Sequence, residues 1–246
     1  MVEEKKQPSY EDYLKGTGEI LRESTAEKEK YYVRFIGENN DARPFVVHPG
    51  VFSPKYFLDT RFFTREIPIT EGEEFLEIGC GTGVTSIFAV LRGAKHVTAT
   101  DINPLAVANT RENVKLHGLE DKITVLEGDL YEPLTADSQF NTIYWNTPFG
   151  FVDKNKPLCM LERAVFDPGY ETTRRFVQES KKYLKNNGRL LIGFSTTLGR
   201  FELLQEFLNN AGFSIPPRCV ASEESSEVHP VSFEIFEAIP NNGVKQ

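Results

Sequence analysis

From residue 70 onward, short apolar runs alternate with stretches of helical periodicity. The runs Glu74–Ile78, His96–Thr100, Ile123–Glu127, Thr142–Trp145, Arg189–Phe194 and Ser232–Ala238 predict strands, because each is short and apolar and ends in turn chemistry. Between them lie helices with legible ends. One starts with Asn103 as N-cap and Pro104 in the first helical position, and stops at Gly118. Its Val107, Thr110 and Val114 share a stripe that predicts the inner face. A second is predicted over Arg174–Lys185, halted by Asn186-Asn187-Gly188. A third covers Phe201–Asn210, with Phe201, Leu204 and Leu208 on one face and an end near Gly212. This alternation predicts an α/β fold with a mainly parallel sheet and helices on both faces. Sheets of that kind bind ligands at the carboxyl ends of their strands, so the residues just after each run carry the functional information.

The first 45 residues follow another pattern. Val2 to Lys30 is rich in Glu and Lys and poor in large aliphatics, which predicts a solvated helical arm or a partly mobile leader. Two β-prone runs, Tyr31 to Ile36 and Pro44 to Val47, flank Gly37-Glu38-Asn39-Asn40-Asp41 and predict a hairpin. The expected division is a helical arm and hairpin over residues 1–49, as a substrate or partner element, and a ligand-binding domain over 50–246.

Composition narrows the class. With 28 Lys+Arg against 36 Asp+Glu the net charge is −8, which argues against a general electrostatic grip on nucleic acid. No apolar run approaches the ~20 residues of a membrane span, and the charged N-terminus leads into no apolar stretch. Cys80, Cys159 and Cys219 are too few and dispersed for a disulfide framework, so a reducing cytoplasmic setting is expected. His48, His96, His117 and His229 show no ligand spacing, so no metal is expected.

The first strand runs into Glu77-Ile78-Gly79-Cys80-Gly81-Thr82-Gly83 and then a helix near Val84. Glycines let the chain turn sharply and let a ligand lie against the main chain. A dinucleotide site requires G-x-G-x-x-G, yet the third glycine is replaced by Val84 in one register and Ser86 in the other. Glu77 would also repel a pyrophosphate, so a ligand with an ammonium group suits the loop better. Asp101, after the second strand, has the position to accept hydrogen bonds from both hydroxyls of a ribose. Asp129, in Gly128-Asp129-Leu130 after the third strand, is suited to an adenine amino group. The Cys80 thiol reads as packing within the loop.

Taken in order, Glu77-x-Gly79-x-Gly81-x-Gly83, Asp101 and Asp129 resemble the first three motifs of the class I S-adenosylmethionine-dependent methyltransferases. The resemblance covers roughly residues 50–240. It implies a Rossmann-like, seven-stranded sheet with a reversed last hairpin. It also implies S-adenosyl-L-methionine as cofactor, held by the Gly79–Gly83 loop with Cys80, by Asp101, Ile102 and Asn103, and by Asp129 and Leu130. Glu77 would lie near the cofactor's amino group. After the fourth strand, Asn146-Thr147-Pro148-Phe149 looks like the Asn-Pro-Pro-Tyr/Phe motif of HemK-type glutamine and N6-adenine methyltransferases, with Thr147 in place of the first proline. In that motif the Asn oxygen and the next carbonyl accept the N–H groups of the acceptor, and the aromatic residue packs against it. Alignment then supplies the catalysis, worth roughly 7–11 kcal/mol in good cases. Two further segments resemble the HemK-like branch and its small methyltransferase domain. Gly50 to Pro54 followed by Asp59-Thr60 matches the segment whose threonine reaches the methionine end of the cofactor. Gly150 to Tyr170 is long for a connection and reads as a substrate lid.

The expected function is therefore N-methylation of a protein side chain or small molecule. One alternative acceptor is an amino group of RNA or DNA, disfavoured by the acidic balance. A non-catalytic binding module on the same scaffold is kept open by Thr147, and a nicotinamide oxidoreductase is disfavoured by the missing glycine.

Overall fold

A computed structural model describes residues 10–37, 41–224 and 231–241. Helix α1 (Tyr10–Ala26) is followed by an antiparallel hairpin, β1 (Tyr31–Ile36) and β2 (Ala42–Val47), and by α2 (Asp59–Glu66). The α/β core then runs β3 (Glu74–Ile78), α3 (Val84–Leu91), β4 (His96–Asp101), α4 (Pro104–Leu116), β5 (Ile123–Glu127) and β6 (Phe140–Asn146). A small parallel ribbon, β7 (Gly150–Val152) with β8 (Phe166–Pro168), precedes α5 (Glu171–Ser180). The chain closes with β9 (Leu184–Phe194), α6 (Phe201–Asn210), β10 (Arg218–Glu224) and β11 (Ser232–Ala238).

Seven strands form the central sheet in the order β10-β11-β9-β6-β3-β4-β5. β11 runs antiparallel to both neighbours, while β9, β6, β3, β4 and β5 are parallel. The order reverses between β3 and β6, the crevice where a doubly wound sheet binds its ligand. Phe75, Leu76, Ile143, Tyr144, Leu190, Leu191 and Ile192 are buried in the middle strands, as expected for strands covered on both faces.

Several expectations are corrected. The helix predicted over Arg174–Lys185 spans Glu171–Ser180, and Leu184 and Lys185 already belong to β9. The Asn186-Asn187-Gly188 stop is a turn within that strand, where Asn187 has φ 63° and the β6–β9 register shifts between Phe140 and Thr142. β10 has no counterpart in the apolar pattern, nor do the short β7 and β8. The arm expected to be solvated is a helix with Thr17, Leu21 and Ser24 buried. Leu21 packs with Phe57, Val152, Leu161 and Phe166. Residues 1–9 of the arm and 38–40 of the hairpin turn lie outside the described residues.

The hairpin is latched to the core by polar as well as apolar contacts. Phe35 packs on Phe88 of α3, ring centroids 5.4 Å apart. From α4, Asn109 and Asn113 turn into the core rather than to solvent. The Val46 N–H donates to Asn113 Oδ1, the His48 N–H donates to Asn109 Oδ1, and both asparagine amides donate to the Val46 carbonyl. Each such buried bond is worth about 1 kcal/mol, and losing one partner costs more than that.

Candidate active site

At the carboxyl edge of β3, β4, β5 and β6 lies a cavity of about 550 Å³. Its floor is the turn from β3 into α3. Gly79, Gly81 and Gly83 all have positive φ (66°, 54° and 77°), a conformation that disfavours side chains. They do different work. A Cβ at Gly79 would meet Trp145 Nε1 at 2.8 Å, and one at Gly81 would meet nothing within 4 Å, so Gly81 is open to the cavity. Gly83 is not on the wall; a Cβ there would strike Thr110 Cγ2 at 2.7 Å, so it serves α3–α4 packing. Cys80 is buried on the wall, and burial pushes its thiol well up, which suits packing rather than reactivity.

Acidic groups surround this turn. Glu77 is buried, accepts hydrogen bonds from the Ser86 hydroxyl and backbone N–H, and is pushed by burial up to about 8. Asp101 closes β4 and accepts the Gly81 N–H on Oδ2 and the Asn103 N–H on Oδ1, each at 2.9 Å. Burial raises its pKa. Ile102 and Asn103 line the cavity beside it. The Asn103 side chain is engaged twice, capping α4 at Leu105 N–H (3.0 Å) and donating to the Gly50 carbonyl (3.2 Å). Asp129 lines the far end with Leu130, which has a φ of 52°. Asp129 is paired at 2.6 Å with Arg175 of α5, a wall residue that sequence reasoning missed because α5 is 46 residues further on.

The Asn-Thr-Pro-Phe segment divides sharply. Asn146 and Pro148 line the cavity, whereas Thr147 and Phe149 do not. Thr147 donates both its N–H (3.1 Å) and its hydroxyl (2.8 Å) to the Gly193 carbonyl of β9. Phe149 sits between Phe194 and Phe233 in the aromatic core. Asn146 lies beside the Asp59 carboxylate, and its buried Oδ1 has no partner. Thr60 lines the cavity, and its buried hydroxyl is likewise unpartnered. Orphaned buried acceptors of this kind are rare and mark places where a ligand completes the bonding. Asp59 itself is pushed by burial up to about 6. A Cβ at Gly193 would lie 2.8 Å from Asn146 Oδ1, so this glycine makes room for the amide.

The opposite wall is the 150–168 segment, with Leu158, Met160, Leu161 and Phe166 facing the cavity and Lys154, Lys156 and Arg163 among its polar residues. Asp167 ties it down by accepting the Thr172 and Thr173 N–H groups and the Thr173 hydroxyl at the start of α5.

Residues 42–214 match the model of the methyltransferase small domain. The chain belongs to that family. It is 32% identical over 172 residues to a Methanocaldococcus jannaschii chain named, by inference, a protein N5-glutamine methyltransferase, covering 69% of this chain and 84% of that one. It is 29% identical to the release factor glutamine methyltransferase of Aquifex aeolicus over 70% of this chain, and spans 64% of that longer protein. The T. thermophilus 16S rRNA N2 G1207 methyltransferase, solved with S-adenosylmethionine and guanosine, superposes with a TM-score of 0.58 at 17% identity, over 87% of this chain and 51% of that one. At that identity the likeness is one of fold. This methyltransferase small domain is thus an S-adenosylmethionine-dependent enzyme with a Rossmann-like fold, and a non-catalytic role is set aside.

The cavity fits that cofactor. It offers carboxylates and open main chain, which matches a ligand bearing an ammonium and a ribose. Among the described residues, no helix is long and apolar enough to cross a membrane.

Proposed function

We propose that this enzyme methylates the side-chain amide nitrogen of a protein, of the glutamine type. The observation that carries the reading is Asn146, set beside the Asp59 carboxylate with its buried Oδ1 left without a donor at the end of β6. An amide NH2 brings two N–H donors, one for that oxygen and one for the backbone carbonyl beside it. The relatives from M. jannaschii and A. aeolicus, both named for glutamine methylation, support the same acceptor class.

In this reading Asp101 takes the ribose hydroxyls, Ile102 and Asn103 flank the nucleoside, and Asp129 with Leu130 faces the adenine. Gly79, Cys80 and Gly81 give the main-chain floor, Glu77 balances the ammonium, and Thr60 faces the methionine end. Gly83 shapes the loop through its contact with Thr110. When bound, the cofactor supplies an electrophilic sulfonium methyl. The chain's own contribution is alignment: Asn146 fixes the acceptor nitrogen, Pro148 walls its approach, and the 150–168 segment excludes water. Thr147 and Phe149 hold the segment in place from behind. The acceptor would enter over residues 1–49 and 150–168, the elements outside the α/β core. A reducing, cytoplasmic setting belongs to the reading, since Cys80, Cys159 and Cys219 are unpaired.

The second reading, an exocyclic amino group on RNA, offers the same pair of N–H donors. Incubation with methyl-labelled cofactor and separate protein, RNA and metabolite pools distinguishes them. Label on a glutamine amide, located by fragmentation mass spectrometry, is the expected result; label confined to RNA overturns the reading.

A further inference from the structure

The hairpin has an open edge that leads to the reaction cavity. In β2, the Val46 N–H and C=O bond to asparagine side chains of α4, and the Pro44 carbonyl meets His117 Nε2 at 3.0 Å. These residues therefore face away from β1. Their register partners are Tyr32 and Arg34, which sit in the non-hydrogen-bonded pairs and must turn their own N–H and C=O groups outward on the other side. No partner for those groups exists among the described residues. A groove of about 270 Å³ runs along this edge, lined by Tyr32 to Phe35 of β1 and by Pro54, Lys55 and Arg61.

Two features give the groove a direction and a sign. Pro54 lines both the groove and the reaction cavity, and the neighbouring residues of α2 divide between them, Thr60 facing the cavity and Arg61 the groove. Lys55 is paired with Glu27 at 2.6 Å, but the exposed Arg34 and Arg61 meet no carboxylate among the described residues. Tyr32, 70% exposed, lines the same groove as an apolar and hydrogen-bonding platform. An unpaired strand edge accepts main-chain hydrogen bonds from another extended chain, with side-chain pockets giving selectivity.

Resting on the reading of a protein acceptor, we propose that the β1 edge docks an extended, acidic polypeptide segment of the substrate, by strand addition at Tyr32 and Arg34, and hands the adjoining residue over Pro54 to Asn146. An oligonucleotide has no main-chain amide to complement a strand edge.

The test uses the full chain with bound S-adenosylhomocysteine and a short acetylated peptide that alternates Glu and Val around one Gln. The expected results are saturable binding, slowed hydrogen exchange at the Tyr32 and Arg34 amides, and weakening by about tenfold or more in the Arg34→Glu/Arg61→Glu double variant. Cofactor affinity stays unchanged in that variant, which shows that it folds. A peptide N-methylated at alternate backbone nitrogens should not bind. The proposal is overturned by no binding, by equal binding of a Lys-for-Glu peptide, by binding without protection at residues 32 and 34, or by oligouridylate protecting the same amides more strongly. Methyl transfer to the peptide is scored separately with S-adenosylmethionine. Docking without transfer counts against the glutamine reading alone, and transfer without protection counts against the docking edge alone.

Discussion

The Asn146 side chain lies beside the Asp59 carboxylate, whose charge attracts the amide NH2 end and favours Oδ1 turned to the acceptor. That Oδ1 is buried without a donor. In the proposed reading Asp59 acts through Asn146 as a positioning residue. Asp59→Ala should lower kcat by about 10²-fold, the scale of a small misplacement of reacting groups, and leave cofactor affinity within twofold. Steady-state kinetics with calorimetric titration of the cofactor checks this.

The same pairing carries a pH dependence. Asp59 is raised by burial to about 6, and only its ionised form attracts the Asn146 amide without offering a competing proton. Turnover should therefore rise as pH increases through about 6 and level off above it. In Asp59→Asn the inflection should vanish. A pH–kcat profile that keeps its inflection in the variant would assign it to another group.

Glu77 gives a stability signature of opposite direction. Its folded-state value is about 8 against an ordinary 4.5, so the folded protein holds a proton that the unfolded chain releases between those values. Its contribution is complete below about 4.5 and is lost as pH rises towards 8, with a slope of at most ~1.4 kcal/mol per pH unit. Thermal melts of the cofactor-free protein should show a steeper decline across this window than melts of Glu77→Gln. Equal slopes would place the buried proton elsewhere.

Thr147 departs from the paired prolines of the motif, and the structure gives the departure a cost if reversed. Its N–H and hydroxyl both reach the Gly193 carbonyl. Thr147→Pro removes both bonds and should destabilise by about 1–3 kcal/mol, or ~2–12 °C in Tm. Thr147→Ser should lose little. Since Thr147 stands behind the cavity wall, Thr147→Ser should also leave the acceptor preference unchanged in a competition assay.

What was legible in the sequence follows from how local each signal is. The central strands announce themselves because burial on both faces forces near-continuous apolar runs, as in Phe75 to Ile78. β10 was illegible because its residues are mostly exposed and polar, and it is a strand only through pairing with β11. The overrun of the helix at Arg174 came from Asn187 and Gly188, which stop helices and make turns inside strands equally well. Gly79, Gly81 and Asp101 were readable because they lie at strand ends, the two glycines in the turn after β3 and Asp101 closing β4. The partners that tune them were not. Asp59 for Asn146, Arg175 for Asp129 and Gly193 for Thr147 come from distant elements, and only the folded sheet brings them together.

In the proposed reading Asp101 anchors the cofactor half of the site. Asp101→Ala removes a charged acceptor and also frees the Gly81 and Asn103 N–H groups. At ~1.5–3 kcal/mol per charged hydrogen bond, cofactor affinity should fall by more than tenfold. Calorimetry on a variant with native circular dichroism checks it, and unchanged affinity would remove Asp101 from the ribose position.

The central claim is that Asn146 aligns the acceptor nitrogen and does not hold the cofactor. Its most direct test is single-turnover transfer by Asn146→Ala to the glutamine-bearing acceptor, with cofactor affinity measured on the same preparation. The expected result is a transfer rate lowered by about 10²-fold or more with cofactor affinity within twofold of the parent. A rate that is unchanged, or one that falls only in step with cofactor affinity, would contradict the account.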